Sequence, residues 1–271
     1  MPPSVQACFC ERRGVVSDDA QVAAELATRA GELLLRLRSR MGYGDPDALR
    51  DAGDQHSHEF LAAELHRLRP DDIVLSEEAA DDRRRLDADR VWIIDPLDGT
   101  REFGEDSRSD WAVHVALWER AAAADGDTGL TAAAVALPAL HMTLSTDGHY
   151  PPLPDVGDPP RIAVSRSRRP EFIEALAGDI DAVPTPIGSA GMKAMAILLG
   201  EADAYVHRGR MKEWDSAAPV AVAAAAGLHV SGLDGAPLRF NTPDRLTLDL
   251  LICQPSLAKP MLASCRRLGL P

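Results

Sequence analysis

The sequence predicts an α+β protein, and three observations carry that prediction. A long stretch near the amino end repeats apolar residues at helical spacing. The middle of the chain strings together short apolar runs of strand length, and the remainder interleaves both patterns.

Taken in order, Asp19 to Met41 sets Val22, Leu26, Ala30, Leu33, Leu34 and Leu37 on one face, which predicts a long amphipathic helix. Ser57 to Leu68 groups Phe60, Leu61, Leu65 and Leu68 and predicts a second helix. DIVLSEE (Asp72 to Glu78) reads as a short strand running into two acids, and Val91 to Ile94 as a buried strand. DWAVHVALWE (Asp110 to Glu119), LTAAAVAL from Leu130 and HMTLST from His141 read as successive antiparallel strands. Tyr150 to Pro160 is too rich in proline for either element and marks a boundary. Beyond it the pattern predicts strands at Arg161–Val164, Ala202–Val206 and Thr247–Cys253, and helices at Pro170–Gly178, Ala190–Gly200 and Asp215–Ala226. The organisation expected is a disordered segment (1–17), an α+β half (18–155) and a second α/β half (156–271), the two halves forming one catalytic unit.

The chain has 271 residues, with 45% hydrophobic and 26% charged, as in ordinary globular proteins. A net charge of −13 argues against a broad surface for nucleic-acid backbone. A small anionic substrate would need metals or a local basic pocket. No apolar run approaches membrane-span length and no signal-peptide pattern opens the chain, so the expectation is a cytoplasmic protein without a membrane partner. Four cysteines, Cys8, Cys10, Cys253 and Cys265, show no zinc spacing and are read as reduced thiols. Homodimerisation is left open.

The most informative stretch is RVWIIDPLDGTREF, Arg90 to Phe103. The strand delivers Asp95 at its carboxyl end. Pro96 fixes the turn, so the Leu97 carbonyl and the Asp98 carboxylate face the same point. Two carboxylates so close repel, and one would titrate high. A hard divalent cation such as Mg²⁺ removes the conflict and takes phosphate as a further ligand. Gly99 permits close approach of a ligand, and the amides of Gly99 and Thr100, opening a helical turn, suit phosphate oxygens. Glu77 and Glu78 end another strand upstream, and EWDSAAP (Glu213 to Pro219) puts Asp215 at the start of an Ala-rich helix, where it also reads as an N-cap. His56-x-His58 reads as a helix start with a histidine face, not as a zinc site.

In that order, LSEE, WIIDPLDGTREF and EWDSAAP resemble the signature of the lithium-sensitive, Mg²⁺-dependent inositol monophosphatase superfamily. That group includes fructose-1,6-bisphosphatases and 3′(2′),5′-bisphosphate nucleotidases, and the resemblance runs from about Ala20 to Leu268. It implies a layered αβαβα sandwich with the metal site between the halves. It implies metal ligation by Glu77, Asp95, the Leu97 carbonyl, Asp98 and Asp215, with Asp95 bridging two ions. Thr100 would orient the attacking water, and Asp54 and Glu77 would help position it and take its proton. Two or three Mg²⁺ ions, replacement by Mn²⁺ and inhibition by Li⁺ and Ca²⁺ belong to the same implication. The chain departs from the pattern before Asp54: Asp51 stands where the family has a threonine, and MGYGDPDALR lacks the family lysine.

The segment RIAVSRSRR (Arg161 to Arg169) is similar to the S-R-S-H segment of bisphosphate nucleotidases, with Arg168 in place of the histidine. IGSAGMKAMA (Ile187 to Ala196) resembles their G-S-x-x-K segment, which makes Ser189 and Lys193 candidate substrate contacts. Arg208 occupies the position of a sugar-binding glutamate of inositol phosphatases, and a cation there favours a second phosphate. Asp98, Gly99, Thr100 and Asp215 would also border the substrate. These features point to the CysQ-like branch and to removal of the 3′-phosphate of adenosine 3′,5′-bisphosphate (PAP). Inositol 1-phosphate, fructose 1,6-bisphosphate or a nucleoside monophosphate remain as alternative substrates, and a catalytically silent metal-binding subunit as an alternative class.

Overall fold

The computed structural model describes residues 16–124, 126–166 and 170–270, with side chains from residue 19. The expectations placed on Cys8, Cys10 and Arg168 lie outside them.

Two helices, α1 (Val16–Met41) and α2 (Pro46–Leu68), precede a sheet of β1 (Ile73–Ser76), β2 (Arg90–Asp98), β3 (Ala112–Glu119), β4 (Leu130–Leu137) and β5 (Met142–Ser145). Short helices α3 (Thr100–Phe103) and α4 (Arg120–Ala123) interrupt it. The strands lie in chain order, β1 parallel to β2 and the rest antiparallel. The second half contains β6 (Arg161–Ser165), α5 (Phe172–Asp179), β7 (Val183–Ile187), α6 (Ala190–Leu198), β8 (Ala204–Lys212), α7 (Glu213–Ala225), β9 (His229–Ser231), β10 (Leu246–Cys253) and α8 (Pro255–Arg267). Its sheet runs β7-β6-β8-β10-β9.

Burial explains why the strands read as continuous apolar runs. Along β2, Trp92 and Ile94 pack with α1 and α2, whereas Val91 and Ile93 face α6 and α7. Tyr205, Leu250 and Ile252 of the second sheet close the other side of that α6–α7 layer. Val206, Leu251 and Cys253 face outward to α5 and α8. Five layers result: α1–α2, sheet, α6–α7, sheet, α5–α8. Helix α7 is Ala-rich because it lies between two sheets, where small side chains permit close approach.

Two expectations are corrected here. The second helix starts at Pro46, not Ser57: Asp45 caps it by accepting from Ala48 N at 3.1 Å, and Pro46 takes the first position. His56 and His58 therefore lie inside the helix. The helix expected from Asp19 already includes Val16, which shortens the segment assigned to 1–17. Strands β7 and β9 and helix α8 were not expected. VPTPI carries two prolines and still pairs with β6 as an edge strand, where missing N–H groups are tolerated.

Candidate active site

Strand β2 builds the site through a fault in its own regularity. Against β3 the register runs Asp95↔His114 and then Asp98↔Ala112, three residues against two. Pro96 has no N–H for the ladder, and the extra residue forms a bulge. The bulge restores Asp98 to the face used by Val91, Ile93 and Asp95, while Leu97 packs into the α1–α2 layer. Asp95 is 1% exposed, and its Oδ1 accepts from Leu97 N at 3.0 Å.

Gly99 turns the chain at φ 87°, where a Cβ would stand 2.9 Å from Ser189 Cβ and 3.2 Å from Trp111 Cβ. Only glycine meets both demands. Thr100 then opens α3. Its Oγ1 lies 3.3 Å from Asp54 Oδ1 and 3.1 Å from the Leu97 carbonyl oxygen. This contact depends on Gly53, because a Cβ there would lie 2.7 Å from Phe103 Cε1 and 2.9 Å from Leu97 Cδ2. Helix α2 can thus press its Asp54 against the β2–α3 turn.

The acids of both halves share one field. Burial, then the charge of Glu78, pushes the Asp54 carboxyl up to about 7, against a weaker opposing bond from Thr100. Partial burial followed by Asp215, Glu78, Asp54 and Asp98 brings Glu77 to about 7, although the residue still reaches solvent. Burial and Asp98 bring Asp215 to about 7. Burial, Asp98, Glu77 and Asp215 raise Asp95 well above the usual carboxylate range. Four carboxyls driven toward neutrality by burial and then by neighbouring acids form a set that a hard dication would satisfy. Among the described residues no group of three His, Cys, Asp or Glu stands assembled as a metal shell. The fit to a cation therefore rests on donor chemistry and mutual repulsion.

Asp98 differs from the other acids. Its Oδ1 accepts from Ala190 N at 3.1 Å and its Oδ2 from Gly191 N at 2.5 Å, at the start of α6. His114 Nε2 is 3.1 Å from Oδ2, an ionic approach more than a well-aligned hydrogen bond. Burial favours a raised pKa, but His114, Lys193 and Gly191 outweigh it and hold Asp98 below its usual range. His114 is fully buried, and its Nδ1 is 3.0 Å from the Trp214 carbonyl oxygen, so that nitrogen must be the donor. Sequence reasoning missed His114. Its signal was a lone polar ring in the otherwise apolar run WAVHVALW.

The second half places its candidates less simply. Ser189 Oγ caps α6 by accepting from Met192 N at 3.0 Å. Lys193 is 6% exposed and donates to the carbonyls of Gly188 (2.6 Å) and Ser189 (2.9 Å), with Tyr205 under its ammonium. Both side chains are engaged in shaping the 188–193 turn. Arg208 lies away from the acids. In β8 it follows the outward residue Val206 by two, and its Nε donates to Leu270 O at 2.9 Å behind the sheet. His207 takes the inward place, near Lys193. Arg166 contacts Glu102 and Glu105 at 2.9 Å and holds the 161–166 segment to the end of α3. A cavity of about 230 Å³ between Gly232–Arg239 and Leu246–Asp249 is lined by none of Asp54, Glu77, Asp95, Asp98 and Asp215.

Comparison with known proteins agrees with this geometry. The inositol monophosphatase family model matches residues 16–148 and 157–267. A 3′-phosphoadenosine 5′-phosphate phosphatase of Mycobacterium leprae is 49% identical over 92% of this chain and 93% of its own. The 3′(2′),5′-bisphosphate nucleotidase CysQ of Escherichia coli K12 is 29% identical over 80% of this chain and 92% of its own. Among solved structures, CysQ from Bacteroides thetaiotaomicron superposes with a TM-score of 0.70 at 25% identity, covering 88% of this chain and 97% of its own. Inositol monophosphatase II from Staphylococcus aureus gives 0.71 at 20% identity, over 89% and 92%, a likeness of fold. With its bulged aspartate turn, its carboxylates drawn from both halves and its five layers, the chain belongs to the inositol monophosphatase family.

Proposed function

We propose that this chain is a Mg²⁺-dependent phosphomonoester hydrolase that removes the 3′-phosphate of PAP, giving AMP and phosphate. The observation that carries the chemistry is the Thr100–Asp54 contact beside Glu77, Asp95 and Asp215. The substrate rests on relatives named for it, one of them 49% identical.

Mg²⁺ held by Glu77, Asp95, Asp98, Asp215 and the Leu97 carbonyl would neutralise the crowded carboxylates, offset charge on the phosphoryl group and make a water acidic near neutral pH. The chain's own groups do the rest. Thr100 Oγ1 gives its hydrogen to Asp54 or to the Leu97 carbonyl, which leaves its oxygen to accept from a water. A proton leaving that water has a short route to the Asp54 carboxylate. The N–H groups of Gly99 and Thr100, at the start of α3, receive phosphate oxygens. Displacement is direct, by water, and needs no covalent phospho-enzyme. Two or three ions, replacement by Mn²⁺ and inhibition by Li⁺ and Ca²⁺ complete the reading.

Turnover on PAP, AMP, inositol 1-phosphate and fructose 1,6-bisphosphate with Mg²⁺ tests it. PAP should lead in kcat/KM by at least about tenfold, a preference of about 1.4 kcal/mol. Equal rates on inositol 1-phosphate would overturn the substrate, and no rate on any ester the chemistry.

A further inference from the structure

Arg85 is a fully buried arginine in the segment that follows Glu77, and its partners lie in both halves of the molecule. Its Nε donates to Asp81 Oδ1 at 2.6 Å and its Nη2 to Asp81 Oδ2 at 3.3 Å. Across the seam, Nη1 donates to Asn241 Oδ1 at 2.7 Å and Nη2 to the Thr242 carbonyl at 2.9 Å. Asn241 Nδ2 returns a bond to the Arg85 carbonyl at 3.0 Å.

The same 241–242 turn grips a second buried charge. Asn241 N donates to Glu213 Oε2 at 2.9 Å, and Thr242 donates to Oε1 through N at 2.8 Å and Oγ1 at 2.5 Å. Glu213 is 0% exposed and opens α7, two residues before Asp215. The turn holds Asn241 and Arg245 in the left-handed region, at φ 56° and 59°. Non-glycine residues keep that conformation only where surrounding contacts enforce it. A relay of buried groups therefore runs from the Glu77 loop through Asp81, Arg85, Asn241, Thr242 and Glu213 to the helix that carries Asp215.

We propose that this relay is a positioning device that sets Asp215 opposite Glu77, so that Arg85 and Glu213 govern Mg²⁺ affinity without touching metal or substrate. The proposal rests on the reading of Glu77 and Asp215 as shared Mg²⁺ ligands. Ordinary packing would not need a guanidinium: a fork that engages four acceptors fixes orientation as well as distance. A lysine at position 85 keeps the charge and loses the fork.

The test titrates Mg²⁺ against wild type, Arg85→Lys, Glu213→Gln and Thr242→Val. It reads the half-saturating Mg²⁺ of the thermal shift and, separately, of PAP turnover. Arg85→Lys and Glu213→Gln should raise half-saturation about tenfold in both readouts, a loss of about 1.4 kcal/mol, with kcat at saturating Mg²⁺ within about threefold of wild type. Thr242→Val, which removes the hydroxyl that meets Glu213 Oε1, Asp244 Oδ1 and Leu246 N, should shift half-saturation about threefold in the same direction, and it decides the matter if either larger variant fails to fold. Variants with a lower Tm but wild-type Mg²⁺ half-saturation would reduce the relay to a structural role. A wild type whose Tm ignores Mg²⁺ would instead overturn the metal reading beneath it.

Discussion

Strands β2 and β8 both turn one face to the α6–α7 layer, and they place their charged residues differently. In β2 the bulge at Pro96 breaks the alternation of faces, so Asp95 and Asp98 come to one side. Through its first five residues β8 keeps the alternation: Tyr205 and His207 face inward, and Arg208 goes behind the sheet to the carboxyl-terminal turn. A motif that contains its own irregularity announces where its side chains point. A lone residue matched by position in a regular strand does not.

The comparison can be broken most severely at Asp95. Asp95→Asn keeps the shape and an acceptor for Leu97 N, so fold and Tm should survive while kcat falls by at least about a hundredfold, about 2.7 kcal/mol. A variant that keeps a tenth of wild-type turnover would remove β2 from the chemistry. Gly99→Ala comes next. Strain at φ 87° and the contact with Ser189 Cβ should cost about 1–3 kcal/mol of stability in denaturant unfolding, with a loss of turnover. Unchanged stability would mean that the turn can relax and that its shape is not tightly set.

A pH experiment sharpens the picture of the shared acids. Asp54, Glu77 and Asp215 titrate at about 7 in the folded chain, against ordinary values of 3.8 or 4.5. Between about 4 and 7 the folded, metal-free protein therefore binds more protons than the unfolded chain, and these groups make stability fall as pH rises through that window. Mg²⁺ competes with those protons. The gain in Tm from saturating Mg²⁺ should be larger at about pH 8 than at about pH 5.5, and equal gains would disperse the cluster. The smallest effect belongs to β8: Arg208→Ala should change kcat/KM on PAP and on inositol 1-phosphate by less than about twofold each. A loss confined to PAP would bring Arg208 back to the substrate.

Much of the site was legible because its residues lie in contiguous motifs with local causes. Pro96 and Gly99 mark the turn, whereas the pairing of Asp54 with Thr100 came from the family resemblance and not from any local cause. The start of α2 was legible too, in the Asp45–Pro46 pair, but its apolar face is weak before Ser57 and the cap went unused. The partners of His114, Arg85 and Glu213 were not legible. Each of these residues draws its meaning from a partner far along the chain: Asp98 and Trp214, Asn241 and Thr242. Ser189 and Lys193 were read as candidate substrate contacts, and their backbone bonds within the 188–193 turn have no signal in the motif.

The central helical layer has a consequence for how the protein is synthesised. The inner face of the first sheet, with Val91, Ile93, Ala133 and Val135, is covered by α6 and α7, which follow it in the chain. A ribosome releases that sheet, with Asp95 already in β2, well before Asp215 leaves the exit tunnel. Until α7 arrives, the nascent chain shows an apolar face and an acidic cluster that lacks its final member. The boundary near Tyr150–Pro160 separates two stretches of sequence whose apolar faces meet at α6 and α7. A chain truncated there would bare a wide apolar surface and invite aggregation or chaperone capture.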